Sequence, residues 1–150
     1  MGINTDFRFT KSYYNHVGVV VRNWDVPCLN EAVETGVNAV PLSDRLKKSD
    51  VKILRPKIVY MDERQMAVRA NSKIGHTGYD FSGLLFYQLI YQLTGHWLGH
   101  TGVHAEGRMY CGEYAAWCYV ALFSNYWKTT PADIERSSDF NVVFKGVITL

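Results

Sequence analysis

The feature that most limits the fold is the uneven placing of apolar runs along the chain. β-branched and alternating stretches fill the first third, and the two strongest apolar runs, residues 82–94 and 111–127, come later. Residues 17–22 read as a strand, and residues 29–33 and 37–40 flank Glu34-Thr35-Gly36 as a hairpin with its glycine in the turn. Pro41 ends that strand, Ser43 is placed to cap a short helix over residues 44–48, and residues 51–54 alternate as a further strand before Pro56. Residues 62–71 have helical composition, and glycines at 75 and 78 break them off. Residues 82–94 are apolar almost all round, which predicts a buried helix capped by Asp80 or Ser82. Residues 95–107 read as a glycine-rich loop and residues 111–127 as a second apolar helix. Thr130 and Pro131 suit the N-cap and first turn of a third, short helix. Residues 141–144 and 147–150 close the chain as two strands around Gly146. Strands first, helices next and strands last is the order of an α+β domain.

The chain has 150 residues, which fits one domain over 1–150. A domain of that size buries roughly two-thirds of its unfolded surface without staples. The apolar fraction of 47% is that of a globular chain. A net charge of +2 gives no concentrated basic face for nucleic acid, and the basic residues Arg45, Lys47, Lys48, Lys52, Arg55 and Lys57 read as a solvated helix end and strand edge. Three cysteines, Cys28, Cys111 and Cys118, are an odd number without close pairs, which points to a reducing compartment rather than a disulfide framework. Zinc-finger spacing is absent, so no structural metal and no cofactor are expected. Residues 1–15 carry Asp6, Arg8 and Lys11 and no signal-peptide core, and residues 83–91 are too short and too broken by Gln88 to span a bilayer. These features predict a soluble chain, cytoplasmic or associated with a phage particle.

The stretch richest in chemistry is Arg108-Met109-Tyr110-Cys111-Gly112-Glu113-Tyr114-Ala115-Ala116-Trp117-Cys118. Cys111 stands where an apolar helix begins, after the glycine-rich loop. Unpaired backbone N–H groups at a helix start favour negative charge and lower the pKa of a thiol there. The Cys111 N–H is also placed to donate to an oxyanion, and Gly112 is expected to leave space beside the sulfur. Cys118 lies two helical turns deeper on the same face and reads as packing. On spacing alone, packing is the commoner role of a first-turn cysteine too. A thiolate needs a base, and His16, opening the strand His16-Val17-Gly18-Val19, is a rigidly held candidate, with a plain surface histidine as the alternative. Glu31 is a carboxylate in an otherwise apolar strand and could orient that imidazole, and Asn30, on the opposite face, is its competitor.

Taken together, these segments resemble the circularly permuted NlpC-type papain-like superfamily, of the YiiX/YaeF-like kind. Thr10-Lys11-Ser12-Tyr13-Tyr14-Asn15-His16-Val17-Gly18 resembles its histidine segment, and Asn30-Glu31-Ala32-Val33 with Gly36-Val37 its Glu-Ala segment. Tyr79-Asp80-Phe81 resembles its Tyr-Asp-Phe signature, and Tyr110-Cys111-Gly112-Glu113-Tyr114 its Cys-Ser-Glu-Phe motif, with Gly112 in place of the usual serine. The resemblance implies a small antiparallel sheet or half-barrel packed against helices, with the nucleophile at the N-terminus of a buried helix. It further implies Cys111 as nucleophile, His16 as base and Glu31 as orienting group, with Tyr79 and Gly112 as oxyanion or substrate residues. The family's upstream strand is lacking unless residues 3–9 supply a degenerate one.

The implied activity is that of a cysteine hydrolase of amide bonds, such as cell-wall peptides, through a thioester. On the same fold a lipid acyltransferase or phospholipase is the second reading, and a non-catalytic module such as a phage-particle component the third. A peptide or other small molecule, or a lipid, is the expected partner. His96, His100 and His104 recur every four residues and would share a helical face, but Gly95, Gly99 and Gly102 make that helix poor, so a loop beside the cleft, able to gate it, is the better reading than a metal site. Asp80 and Glu113 read as a helix cap and a first-turn partner of the helix dipole.

Overall fold

The computed structural model describes residues 12–47 and 49–149. Residues 3–9, the candidate degenerate strand, lie outside them.

Three strands build the first antiparallel sheet: β1 (Val19–Asn23), β2 (Val26–Val33) and β3 (Gly36–Pro41), in that order. Alternation sets the faces of β1, where Val19 and Val21 are buried and Val20 is exposed. Both connections are two-residue turns. Trp24 and Asp25 join β1 to β2 at φ 49° and 64°, the mirror-image turn whose twist suits a hairpin. Glu34 and Thr35 join β2 to β3 as expected, with Gly36 at φ 106°. Here the glycine is required twice over, because a Cβ would also stand 2.6 Å from the Thr77 carbonyl oxygen.

That close approach laces the hairpin to the rest of the chain. Val37 N donates to Thr77 O at 3.0 Å, Gly78 N to Gly107 O at 3.2 Å, and Met109 N to Gly78 O at 3.0 Å. The 75–79 segment therefore lies between β3 and the chain that runs into Cys111.

Helix α1 (Leu42–Arg45) begins earlier than expected, directly after Pro41, and Ser43 sits inside it without capping it. Strands β4 (Ser49–Pro56) and β5 (Phe140–Ile148) pair antiparallel in a second, two-stranded sheet. The two closing strands expected around Gly146 are one strand, since the ladder runs through Gly146, where glycine takes φ 153°. Helix α2 (Glu63–Asn71) opens on a capping box between Asp62 and Gln65.

The segment read as a buried helix over 82–94 is a π-helical turn (Gly83–Tyr87) followed by α3 (Gln88–Thr94). Asp80 caps it by accepting from Gly83 N at 2.8 Å. Its burial differs from expectation: Gly83 and Gln88 face inward, while Phe81, Leu85, Phe86 and Leu93 are exposed. A polar anchor sets the inward side, because Gln88 Nε2 donates to Tyr110 Oη and to Lys128 O, both at 2.7 Å.

Helix α4 (Cys111–Cys118) is buried at every residue and forms the centre of the core with Val19, Val21, Ala32, Val37 and Ala70. It stops far short of residue 127. Arg69 of α2 donates through Nε and Nη2 to Trp117 O at 3.0 and 2.7 Å, so that carbonyl already has strong donors where a further turn would need it, and Tyr119 leaves the helical region at φ −107°, ψ 41°. A 3-10 turn (Tyr126–Lys128) follows. Helix α5 (Pro131–Arg136) then starts as expected, with Thr130 and Asp133 in a capping box and Pro131 in the first turn. The architecture is mixed α+β, and among the described residues no helix is long and apolar enough to cross a membrane.

Candidate active site

Cys111 is the first residue of α4 and is 3% exposed. The lacing through Gly78 and Met109 fixes the chain that enters the helix, and Tyr110, the N-cap, is held by its hydroxyl, which accepts from Gln88 and donates to Trp127 O at 3.1 Å. His16 lies on the approach to β1, with 37% of its side chain exposed. Its Nε2 meets Glu31 Oε2 at 2.5 Å, and its ring is coupled electrostatically to the Cys111 side chain. A carboxylate only accepts, so Nε2 carries the proton of the first contact and Nδ1 is left as the basic nitrogen. One imidazole thus joins residues from the start of β1, the middle of β2 and the start of α4.

Glu31 and Asn30 are both buried, on opposite faces of β2. Asn30 points to the other side and donates to Asn71 Oδ1 at 2.7 Å, so it takes no part in the cluster. Glu31 has a second partner that the sequence does not disclose: Arg45 Nε, at the end of α1, stands 2.8 Å from Oε1. In the sequence Arg45 is one of a solvated basic group, and nothing in its local pattern distinguishes it. Gln88 does leave a signal, as the polar residue interrupting an apolar run, and its role is to fasten Tyr110 beneath the start of α4.

The electrostatics follow from these contacts. Burial alone would lower the pKa of His16, but the hydrogen bonds to Cys111 and Glu31 and their negative charge outweigh it and raise it to about 9. Burial alone would raise that of Glu31, yet His16 and then Arg45 bring it below its ordinary value. Tyr79 is raised by burial and by the charge of Cys111 and Asp80, so its hydroxyl keeps its proton. Its ring lies edge-on to Phe81 with centroids 4.8 Å apart.

Gly112 and Glu113 depart from expectation. A Cβ on Gly112 would meet Thr129 O at 2.4 Å and Pro131 Cδ at 3.0 Å, so the glycine faces the chain entering α5 and allows close packing there, instead of leaving space beside the sulfur. Glu113 is 1% exposed, and burial, with the charge of Asp80 beside it, raises it to about 9 against a hydrogen bond from the Tyr110 backbone. It is therefore a neutral acid at pH 7, not a charged partner of the helix dipole. Cys118 is buried as expected, with its thiol pushed up to about 12 by burial. His96, His100 and His104 are exposed beyond α3, which Gly95 ends in the left-handed region at φ 74°. Two surface depressions lie around α2, at Tyr60, Arg64 and Trp117 and at Ile58, Met66 and Leu122, and neither is lined by Cys111, His16 or Glu31.

No family model matches the chain, and no curated protein matches it. Among solved structures it is similar to the crystal structure of metalloprotein yiiX from Escherichia coli O157:H7, with a TM-score of 0.56. The fold is yiiX-like. Sequence identity is 18%, over 93% of this chain and 87% of that one, so the likeness is one of fold.

Proposed function

We propose that the chain is a cysteine hydrolase of the permuted papain-like, NlpC type, working on amide bonds by acyl transfer. The observation that carries this reading is the His16 ring, which bonds the buried Glu31 carboxylate through Nε2 and is coupled electrostatically to Cys111. Those are the relations a nucleophile, its base and an orienting group need. With His16 raised to about 9, the ring already holds the proton given up by the Cys111 thiol at neutral pH, and the sulfur attacks the carbonyl carbon while the C=O electron pair moves to oxygen. Backbone N–H groups at the start of α4, with the protonated Tyr79 hydroxyl, suit that oxyanion. His16 returns the proton to the amine as the C–N bond breaks. Water then adds to the thioester with its proton passing to His16, and the C–S bond breaks to give acid and free thiol.

The similar yiiX protein is a metalloprotein. Among the described residues no group of three or more His, Cys, Asp or Glu could hold a metal ion, so those residues do not fit one and no step is derived through it.

The test is alkylation by iodoacetamide at pH 6, where an ordinary thiol of pKa about 8.5 is nearly inert. Cys111 is expected to react, Cys28 and Cys118 to stay unlabelled, and His16→Ala to abolish the reaction. Equal labelling of Cys28 and Cys111, or no effect of His16→Ala, would overturn the assignment. One observation favours a lipid acyl substrate as a second reading: Phe81, in ring contact with Tyr79, is exposed together with Leu85 and Phe86. Turnover of long-chain esters in place of peptide amides would decide for it.

A further inference from the structure

The two oxygens of Glu31 have different partners. Oε2 faces His16 Nε2 at 2.5 Å and Oε1 faces Arg45 Nε at 2.8 Å. The Glu31 side chain is 3% exposed and the Arg45 side chain 41%. A carboxylate held at one oxygen only can swing about its own axis, whereas an ion pair at the other oxygen opposes that rotation. Arg45 is delivered by α1, which packs against β2 and β3, so this second hold comes from a different element than the histidine. Among the described residues, His16 and Arg45 are charged groups that meet Glu31, and His16, Tyr79 and Tyr110 are titratable groups electrostatically coupled to Cys111.

We propose that Arg45 is a positioning residue of this site: by clamping Oε1 it aims Oε2 at His16, and so fixes the ring that serves Cys111. The inference rests on the reading of Cys111 and His16 given above. Arg45 touches neither the sulfur nor a substrate in this scheme and acts through Glu31 alone. Its guanidinium supplies a donor in a fixed plane, which a lysine ammonium does not reproduce. Without it a buried carboxylate keeps a single partner, takes up a proton at higher pH and loses its fixed direction.

The experiment is the pH profile of Cys111 alkylation in the whole chain, for wild type, Arg45→Gln, Arg45→Lys, Glu31→Gln and the Arg45→Gln/Glu31→Gln double variant. Near-UV circular dichroism checks each fold, and Arg45→Lys carries the test should Arg45→Gln not fold. In Arg45→Gln the neutral-pH rate is expected to fall about tenfold, the loss of the charged partner of a buried carboxylate, and the acid limb to move up by about one pH unit. Arg45→Lys keeps the charge and the acid limb but not the rate. In the Glu31→Gln background, adding Arg45→Gln costs nothing further. A wild-type profile in folded Arg45→Gln overturns the inference. So does an equal loss from Arg45→Gln with and without Glu31, because the arginine would then act on the sulfur directly. A wild-type chain whose Cys111 titrates as an ordinary thiol refutes the underlying assignment instead, and does so before any change at Arg45.

Discussion

Replacing Gly112 with alanine tests the packing on which the candidate nucleophile stands. The added Cβ would lie 2.4 Å from Thr129 O and 3.0 Å from both Thr130 C and Pro131 Cδ. These are backbone and ring atoms, and the Thr130–Asp133 capping box holds them in place, so no flexible side chain can yield. Overpacking of this kind costs up to about 3 kcal/mol. Exchanging glycine for alanine in a helix returns about 1 kcal/mol. The net loss of about 2 kcal/mol should lower the melting temperature by roughly 4–8 °C for a domain of this size. Thermal melts followed by far-UV circular dichroism measure it, and iodoacetamide labelling of Cys111 should slow in parallel as the start of α4 is pushed off α5. Gly107→Ala is the control, since a Cβ there meets nothing within 4 Å. A Gly112→Ala melt equal to wild type would refute the close approach of α4 to Thr129. The usual serine of the resembled motif would be excluded at this position for the same reason.

Two further outcomes concern pH. His16 is raised to about 9 in the folded chain from an ordinary value of 6.5, so its contribution to stability is complete below about pH 6.5 and is lost as pH rises through 9. Denaturant titrations between pH 6 and 10 should show stability falling, and His16→Ala should flatten that slope. Glu113 is also raised to about 9, from 4.5, chiefly by burial, and the folded chain therefore holds a proton there that the unfolded chain has released. Glu113→Gln should stabilise the chain at neutral pH, with the gain vanishing below about pH 4.5; a loss at pH 7 would show that the carboxyl is ionised in place.

The elements legible in the sequence are those whose signals are local. The β2–β3 hairpin announces itself through β-branched runs around Glu34-Thr35-Gly36, and α5 through Thr130 and Pro131, because turn and cap chemistry reside in neighbouring residues. The candidate site is legible in part. Cys111, His16 and Glu31 converge, and Asn30, the rival of Glu31, turns to Asn71. What escapes depends on partners far along the chain. The end of α4 is set by Arg69, the inward side of the 83–94 segment by the hold of Gln88 on Tyr110, and the use of Gly112 by Thr129. Arg45 escapes for the same reason, since a basic residue at the end of a four-residue helix looks alike whether it meets water or a buried carboxylate. Apolar composition foretells the burial of α4 correctly and that of Phe81, Leu85 and Phe86 wrongly, because composition cannot say which face finds a neighbour.

The lacing at Gly78 carries a consequence for how the chain comes together. His16 and Glu31 arrive on the hairpin and Cys111 on α4, and the two stretches meet through backbone bonds spanning Val37, Thr77, Gly78 and Met109. On the function proposed above, neither stretch holds the proposed pair alone, so a partly folded chain with α4 formed but the hairpin undocked would carry an unactivated sulfur. Under that proposal the sulfur would gain its base only once the hairpin docks, which would shield the cysteine from stray electrophiles while the chain is still open.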